Sequence, residues 1–360
     1  MPFFSQDLDH VVASVADAWD ELRGARIFLT GGSGFFGKWL VESFLTANRG
    51  LSLNARLTVL SRRPDALVSS RPDLAGQPEL DFHRGDVRNF EFPHESYSHI
   101  LHLATPSWGL PQRDHEFELM DTIVQGTRRV LALAAAVGAE RMLFTSSGAA
   151  YGAQPSEIER VGEDYRGAPA TEDVRATYGH SKRLAEHLGA VSAANTGLAF
   201  TIARCFAFVG PGLPLDAHFA IGNFIRDGLA GDEIRVAGDG APFRSYLYAA
   251  DLAAWLWTIL LRGERGRAYN VGSEEAVTIA QLARQVAAAF TPPPKVTVAR
   301  APNADAAPQR YVPDCRRARD ELGLEARIPL AEAIHRTIEW LRRNSGESSL
   351  PSLAGARQSS

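Results

Sequence analysis

Cysteine is scarce in this chain of 360 residues: Cys205 and Cys315 lie far apart, with neither metal-ligand spacing nor a disulfide framework. That excludes a small disulfide-stapled scaffold and fits a reducing cytoplasm. Charge of one sign is missing too. The 38 basic and 42 acidic residues leave a net charge of -4 with no basic stripe, which argues against a nucleic-acid surface. Apolar runs are short. The stretch Leu252 to Leu261 cannot span a bilayer. Five acids precede Arg23, and no signal-peptide core stands before it, so a soluble, cytoplasmic protein is expected. No internal repeat is present.

What the chain does have is length enough for one large α/β domain, or for a main domain with a smaller lobe. Its organising stretch is Thr30-Gly31-Gly32-Ser33-Gly34-Phe35-Phe36-Gly37. The apolar run 25–29 precedes it at strand length, and Leu40, Val41, Phe44 and Leu45 follow at helical spacing. This order aims a helix N-terminus, with its free N–H groups and positive dipole end, at a pyrophosphate. Gly31, Gly34 and Gly37 suit the tight turn, the close approach of backbone to phosphate, and the packing of helix on strand.

Further strands are expected at 57–60, 80–87, 100–104, 141–145 and 200–205, alternating with helical stretches such as 117–137. Strands apolar along most of their length imply a parallel sheet covered on both faces, with ligands beyond the carboxyl ends. The second strand ends in Ser61-Arg62-Arg63, where an acid would select a ribose 2′-hydroxyl and an arginine would accommodate a 2′-phosphate. No acid stands there, which leans toward NADP while leaving NAD open. Asp86 is placed to accept from an adenine amino group, and the small residues after His102 let a cofactor lie close.

The strand 141–145 runs into Ser146-Ser147, and Tyr178-Gly179-His180-Ser181-Lys182 begins an apolar helix further on. Tyr178 and Lys182 are four apart, hence on one helix face. An ammonium near a phenol favours phenolate and lowers the tyrosine pKa. Tyr178 is therefore the expected proton donor and acceptor for an alcohol/carbonyl pair, with Ser147 holding the same oxygen.

Taken with Gly85-Asp86-Val87, His102-Leu103-Ala104, Tyr151-Gly152, Val209-Gly210-Pro211, Gly238-Asp239-Gly240, Arg244-Ser245-Tyr246, Asp251-Leu252 and Tyr269-Asn270-Val271-Gly272, these motifs make residues 25–345 resemble the extended short-chain dehydrogenase/reductases that act on nucleotide sugars. The resemblance implies a Rossmann-type doubly wound parallel sheet with a smaller C-terminal substrate lobe, and a Ser147/Tyr178/Lys182 active site. It assigns Gly31, Gly34, Phe35, Phe36, Gly37, Ser61, Arg62, Arg63, Asp86, Val87, Leu103 and Ala104 to the cofactor. Arg244 would meet the sugar-nucleotide diphosphate, joined by Arg310, since guanidinium forks suit phosphate oxygens. His218 and Asn223, in the first helical segment of the lobe, are candidates to line the sugar pocket. A homodimer through the helices near 117–137 and 178–194 is implied as well.

Two positions depart from the family. Dehydrating relatives carry an Asp-Glu pair after the serine/threonine and decarboxylating relatives a glutamate, whereas this chain has Gly148 and Ala149. Proton abstraction at C5 then lacks an evident base unless Glu116 or Asp114 supplies one. Ala207 stands where many relatives have a substrate-touching asparagine. The expected organisation is an N-terminal amphipathic helix (1–23), a NAD(P)-binding domain (24–210), a mainly substrate-binding lobe (211–345) with 266–273 returning to the main sheet, and a mobile tail (346–360). The expected activity is hydride transfer at C4 of a nucleoside-diphosphate sugar, as 4-epimerase or 4-keto reductase. A 4,6-dehydratase and a non-catalytic dinucleotide sensor are the alternatives.

Overall fold

In the computed structural model, which describes residues 3–105, 115–217, 219–301 and 307–345, the chain opens with helix α1 (Ser5–Val15) and a 3-10 segment (Ala16–Leu22). The sequence spacing suggests one helix here. Ala16, at φ +51°, breaks it in two.

Strand β1 (Arg26–Thr30), helix α2 (Phe35–Gly50), β2 (Arg56–Ser61), α3 (Pro64–Ser70), β3 (Leu80–Arg84), β4 (His99–His102), α4 (His115–Val137), β5 (Arg141–Ser147), α5 (Thr177–Thr196) and β6 (Ala199–Cys205) follow. Next come β7 (Phe208–Val209), α6 (Ala220–Ala230), β8 (Ile234–Val236), β9 (Phe243–Arg244), β10 (Leu247–Tyr248), α7 (Ala249–Arg262) and β11 (Ala268–Val271). The described residues end with β12 (Val277–Thr278), α8 (Ile279–Ala288), β13 (Val296–Val298), β14 (Arg310–Tyr311), α9 (Arg316–Leu322) and α10 (Leu330–Ser345).

Seven strands form one parallel sheet in the order β11-β6-β5-β4-β1-β2-β3. Its first six strands run in Rossmann order, and the order reverses between β1 and β4, where such sheets open a crevice for ligand. The expectation of an α/β, doubly wound parallel sheet is met. β9 is the centre of a three-stranded sheet with β12 and β14.

Alternation along the strands sorts the core into two layers. Ile27, Leu29, Leu57, Val59, Leu101 and Leu143 point into a core shared with α1, α2 and α7. Phe28, Leu60, Ile100, Met142, Phe144 and Phe200 point the other way, under α4 and α5. Helix α7 is buried at every residue from Ala249 to Leu261, so it needs partners all round. The sheet covers one side, while α1 and the 3-10 segment cover another: Trp19 packs on Trp257 with ring centroids 5.1 Å apart. Trp257 donates its indole N–H to Ser43 Oγ on α2 at 2.9 Å. Asp7, fully buried, accepts from Tyr248 Oη at 2.6 Å and from Arg336 of α10. Among the described residues no helix is long and apolar enough to cross a membrane.

Two histidines of β4 lie inside the sheet. Burial, with the nearby Arg141, lowers His99 to about 4, and burial, with the nearby Lys182, lowers His102 to about 3. Both are neutral when folded and titrate near 6.5 when the chain unfolds. The unfolded state thus binds more protons below that value, and stability falls as pH drops from 6.5 toward 4. For His99 the loss at pH 4 is about 3 kcal/mol. Urea denaturation across this range is expected to show that decline, with a shallower slope in His99→Gln. An equal slope in the variant would contradict the assignment.

Candidate active site

The glycine loop is built by what has no room. Gly31 has φ +78°, and a Cβ there would lie 2.8 Å from the carbonyl carbon of Leu103 and 2.9 Å from Ala104 N, at the end of β4. A Cβ on Gly37 would meet Gly31 O at 2.3 Å. Gly34 is the N-cap of α2 and brings no side-chain cap, leaving the first N–H groups of that helix open to an anion. These features fit a dinucleotide pyrophosphate. Gly32, given no role by the motif, is also required: a Cβ would come within 2.5 Å of Val59. Phe36 sets its ring edge against Phe208 at 5.0 Å, and Phe35 lies next to it.

Thr30 Oγ1 fastens the crevice. It accepts from the backbone N–H of Leu103 at 3.2 Å and of Ala104 at 3.1 Å, and pairs with His102 Nδ1 at 2.8 Å. At the tip of β2, Ser61 Oγ accepts from Arg63 N at 3.2 Å, and Arg62 and Arg63 are exposed. Asp86 is held by Arg88, whose Nε and Nη2 donate to it at 2.9 and 3.0 Å. That guanidinium keeps the Asp86 carboxyl below its ordinary range and would have to share it with an adenine amino group. Val87 is buried against Gly126.

Ser147 is the last residue of β5, and Tyr178 and Lys182 sit in the first turns of α5. Ser147 Oγ accepts from Ala149 N at 3.1 Å, and Ser147 is close enough to Tyr178 to favour the ionised phenol. Lys182 Nζ donates to Thr105 Oγ1 at 2.9 Å and to Thr145 O at 2.8 Å, and lies 5.7 Å from the centre of the Tyr178 ring. The three side chains converge where the sequence spacing suggests. Their electrostatics differ. Burial, then the neighbouring Tyr311 and Cys205, raise Tyr178 above the usual phenol range, and only the hydrogen bond from Ser147 opposes them. Burial likewise lowers Lys182 to about 8. In the chain by itself burial outweighs any effect of that ammonium, so the phenol is raised rather than acidified, against what the four-residue spacing suggests.

In the small sheet, the register pairs Tyr311 with Arg244 and Arg310 with Phe243. Paired residues share a face and successive residues alternate, so Arg310 leaves the strand on the side opposite Arg244. Its guanidinium lies 4.4 Å from the centre of the Phe243 ring. Arg310 therefore does not join Arg244. Arg244 faces Tyr311, its guanidinium 5.9 Å from that ring, and donates Nη1 to Phe243 O at 2.8 Å. Asn223 accepts from Arg226 at 3.2 Å on the rim of a cleft of about 370 Å³ that Phe224, Val236, Gly238, Pro242 and Ile279 also line. His218 lies outside the described residues. Among those described, no group of three or more His, Cys, Asp or Glu could hold a metal ion.

Tyr311 was not foreseen. It is 164 residues from Ser147 in sequence, yet its Oη lies 3.3 Å from Ser147 Oγ. No local pattern marks it; its alternation with Arg310 on β14 is the one available signal.

A family model described as the NAD dependent epimerase/dehydratase family matches residues 27–272. UDP-glucuronic acid decarboxylase 1 of Arabidopsis thaliana is 31% identical over 317 residues, spanning 88% of this chain and 70% of that protein. The solved structure of MoeE5 in complex with UDP-glucuronic acid and NAD is 27% identical, with a TM-score of 0.70 over 89% of this chain and 99% of that one. The dTDP-glucose 4,6-dehydratase of Bacillus anthracis, solved in complex with NAD, shares the fold at 19% identity and a TM-score of 0.72, covering 90% of this chain and 98% of that one. With the glycine loop, the Rossmann strand order and the match over most of its length, this chain belongs to the NAD-dependent epimerase/dehydratase family of extended short-chain dehydrogenase/reductase enzymes.

Proposed function

We propose that this enzyme moves a hydride at C4 of a nucleoside-diphosphate sugar, as a 4-epimerase or a 4-keto reductase. The observation that carries the reading is the convergence of Ser147, Tyr178 and Lys182 beside the glycine loop, around a residue 148 that bears no side chain. Gly31, Gly34, Phe35, Phe36 and Gly37 would hold the pyrophosphate, with Ser61, Arg62, Arg63, Asp86 and Val87 toward the adenosine, and Leu103, Ala104, Tyr178 and Lys182 toward the nicotinamide. A bound nicotinamide dinucleotide supplies the hydride acceptor or donor and, when oxidised, a positive charge near the phenol. With no carboxylate at 61–63 to select a 2′-hydroxyl, the site suits NAD, the cofactor captured with MoeE5, and NADP alike.

Tyr178 Oη takes the proton of the C4 hydroxyl when the sugar is oxidised and returns it on reduction. Ser147 Oγ hydrogen-bonds the same oxygen. Arg244 meets the diphosphate and the cleft beside Asn223 takes the nucleoside. Residue 148 offers no carboxylate for proton abstraction at C5, since Gly148 is bare, and Glu116 is exposed in the first turn of α4. Asp114 lies outside the described residues. With a uronate substrate such as that of the decarboxylase relative, a C4 ketone is a β-keto acid, so carbon dioxide belongs among the products measured.

The test is a panel of UDP-glucuronic acid, UDP-glucose and dTDP-glucose with NAD or NADPH, read by cofactor absorbance and product stereochemistry. The expected result is turnover confined to C4, with kcat in Tyr178→Phe lower by on the order of 10³-fold while dinucleotide affinity holds. Undiminished turnover in that variant would sink the assignment.

We also infer a homodimer. Phe117 and Met120 on α4 are 72% and 38% exposed, and Leu184 and Val191 on α5 are 45% and 46% exposed. Each pair sits at helical spacing on adjacent, packed helices. A second copy covering this face would close a four-helix contact. Light scattering should give a dimer for the native chain and a monomer for Leu184→Lys/Val191→Lys with unchanged circular dichroism. A native chain that stays monomeric at micromolar concentration would refute it.

A further inference from the structure

Ser147 is approached from a third direction by a residue of the C-terminal sheet. Tyr311 Oη lies 3.3 Å from Ser147 Oγ and 3.5 Å from the carbonyl oxygen of Cys205. Its ring rests on Phe206 with centroids 4.7 Å apart, and the Arg244 guanidinium faces its other surroundings at 5.9 Å. Ser147 also lies beside Tyr178, whose ionised form it favours. The serine therefore stands between two phenols, one from α5 and one from β14.

A serine hydroxyl has one proton to give and two lone pairs. Ala149 N–H, at 3.1 Å, fills one lone pair of Ser147. The single Tyr311 proton has two acceptors in reach, Ser147 Oγ at 3.3 Å and the Cys205 carbonyl oxygen at 3.5 Å; given to the nearer one it fills the other lone pair, and the single Ser147 proton is left for the oxygen shared with Tyr178. The same phenol occupies the space beside residue 148: a Cβ on Gly148 would lie 2.8 Å from Tyr311 Oη and 2.8 Å from two ring carbons of Phe206. Burial pushes Tyr311 up to about 12, so it carries its proton at neutral pH.

We propose that Tyr311 is a positioning residue that fixes the hydroxyl of Ser147 toward the reacting oxygen and, with Phe206, fills the volume that a side chain at residue 148 would need. The site is thereby closed to a carboxylate at residue 148, which leaves hydride transfer at C4 as the chemistry these residues serve. This deepens the function proposed above and rests on it.

Tyr311→Phe keeps the ring and removes only the hydroxyl. With the sugar that the wild type turns over best, kcat is expected to fall about 10-fold, since one hydrogen bond is lost, while the KM for the sugar and the affinity for dinucleotide stay within about twofold. In a Ser147→Ala background the same substitution is expected to change kcat by less than about twofold, because its effect passes through Ser147. Equal losses in both backgrounds, an unchanged kcat, or a raised KM at constant kcat would overturn the inference and leave C4 chemistry standing. A wild-type enzyme that turns over no sugar while binding dinucleotide would sink the functional reading and this inference together. Unchanged thermal melting of Tyr311→Phe separates these outcomes from misfolding. Should that variant melt early, Tyr311→His, which retains a ring and a donor, is expected to keep more kcat than Tyr311→Leu, and equal losses in the two would overturn the proposal.

Discussion

The crevice depends on one hydroxyl. Thr30 Oγ1 binds the N–H groups of Leu103 and Ala104 and meets His102, joining the ends of β1 and β4 where the strand order reverses. The helices that leave those two strands go to opposite faces of the sheet, and although Leu103 N also reaches Thr30 O at 3.2 Å, the Ala104 amide would otherwise be unsatisfied in a half-buried place. His102 also reaches Thr127 on α4, so a neutral ring links the crevice to the second layer. Gly31 can then approach the end of β4 so closely that no side chain fits between them.

A second consequence of the same geometry is the low dielectric around the proton-handling groups. Lys182, Tyr178, Tyr311 and Cys205 share one interior, and in each case burial is the largest influence, always against the charged form. The apolar floor set by Phe144 and Phe206 makes each hydrogen bond there count for more than it would in water. Acidifying Tyr178 is then a matter of what binds beside it, and the protein's own residues hold that phenol protonated.

Much of this was legible because it is local. The glycine loop, the apolar strands and the Tyr178–Lys182 pair each declare themselves within a few residues, through turn chemistry, period two and period 3.6. What stayed hidden depends on pairing between distant segments. Arg310 reads like Arg244 until the β9–β14 register sends them to opposite faces. Tyr311 reads as one more aromatic until β14 carries it to Ser147. Gly32 gained its role from Val59 on the neighbouring strand. The claim of Arg88 on Asp86, two residues away, lay within the visible range but is settled by a side-chain rotamer. Desolvation of Tyr178 was invisible for a different reason: spacing reports which groups are neighbours and is silent on how much water surrounds them.

Helix α7, apolar on every side, has a bearing on how the molecule can be cut. Its outer flank meets Trp19, and its N-terminal end is held by Asp7 against Tyr248 and by His10 against Asp251 at 2.7 Å. A fragment trimmed to start at β1 would still hold every strand of the Rossmann sheet. It would also turn a stripe of tryptophan and leucine to water, strand Tyr248 and Arg336 without Asp7, and take His10 from the buried Asp251. The leading helix is thus a lid on the hydrophobic interior, and the smallest unit that keeps this interior covered begins ahead of the first strand.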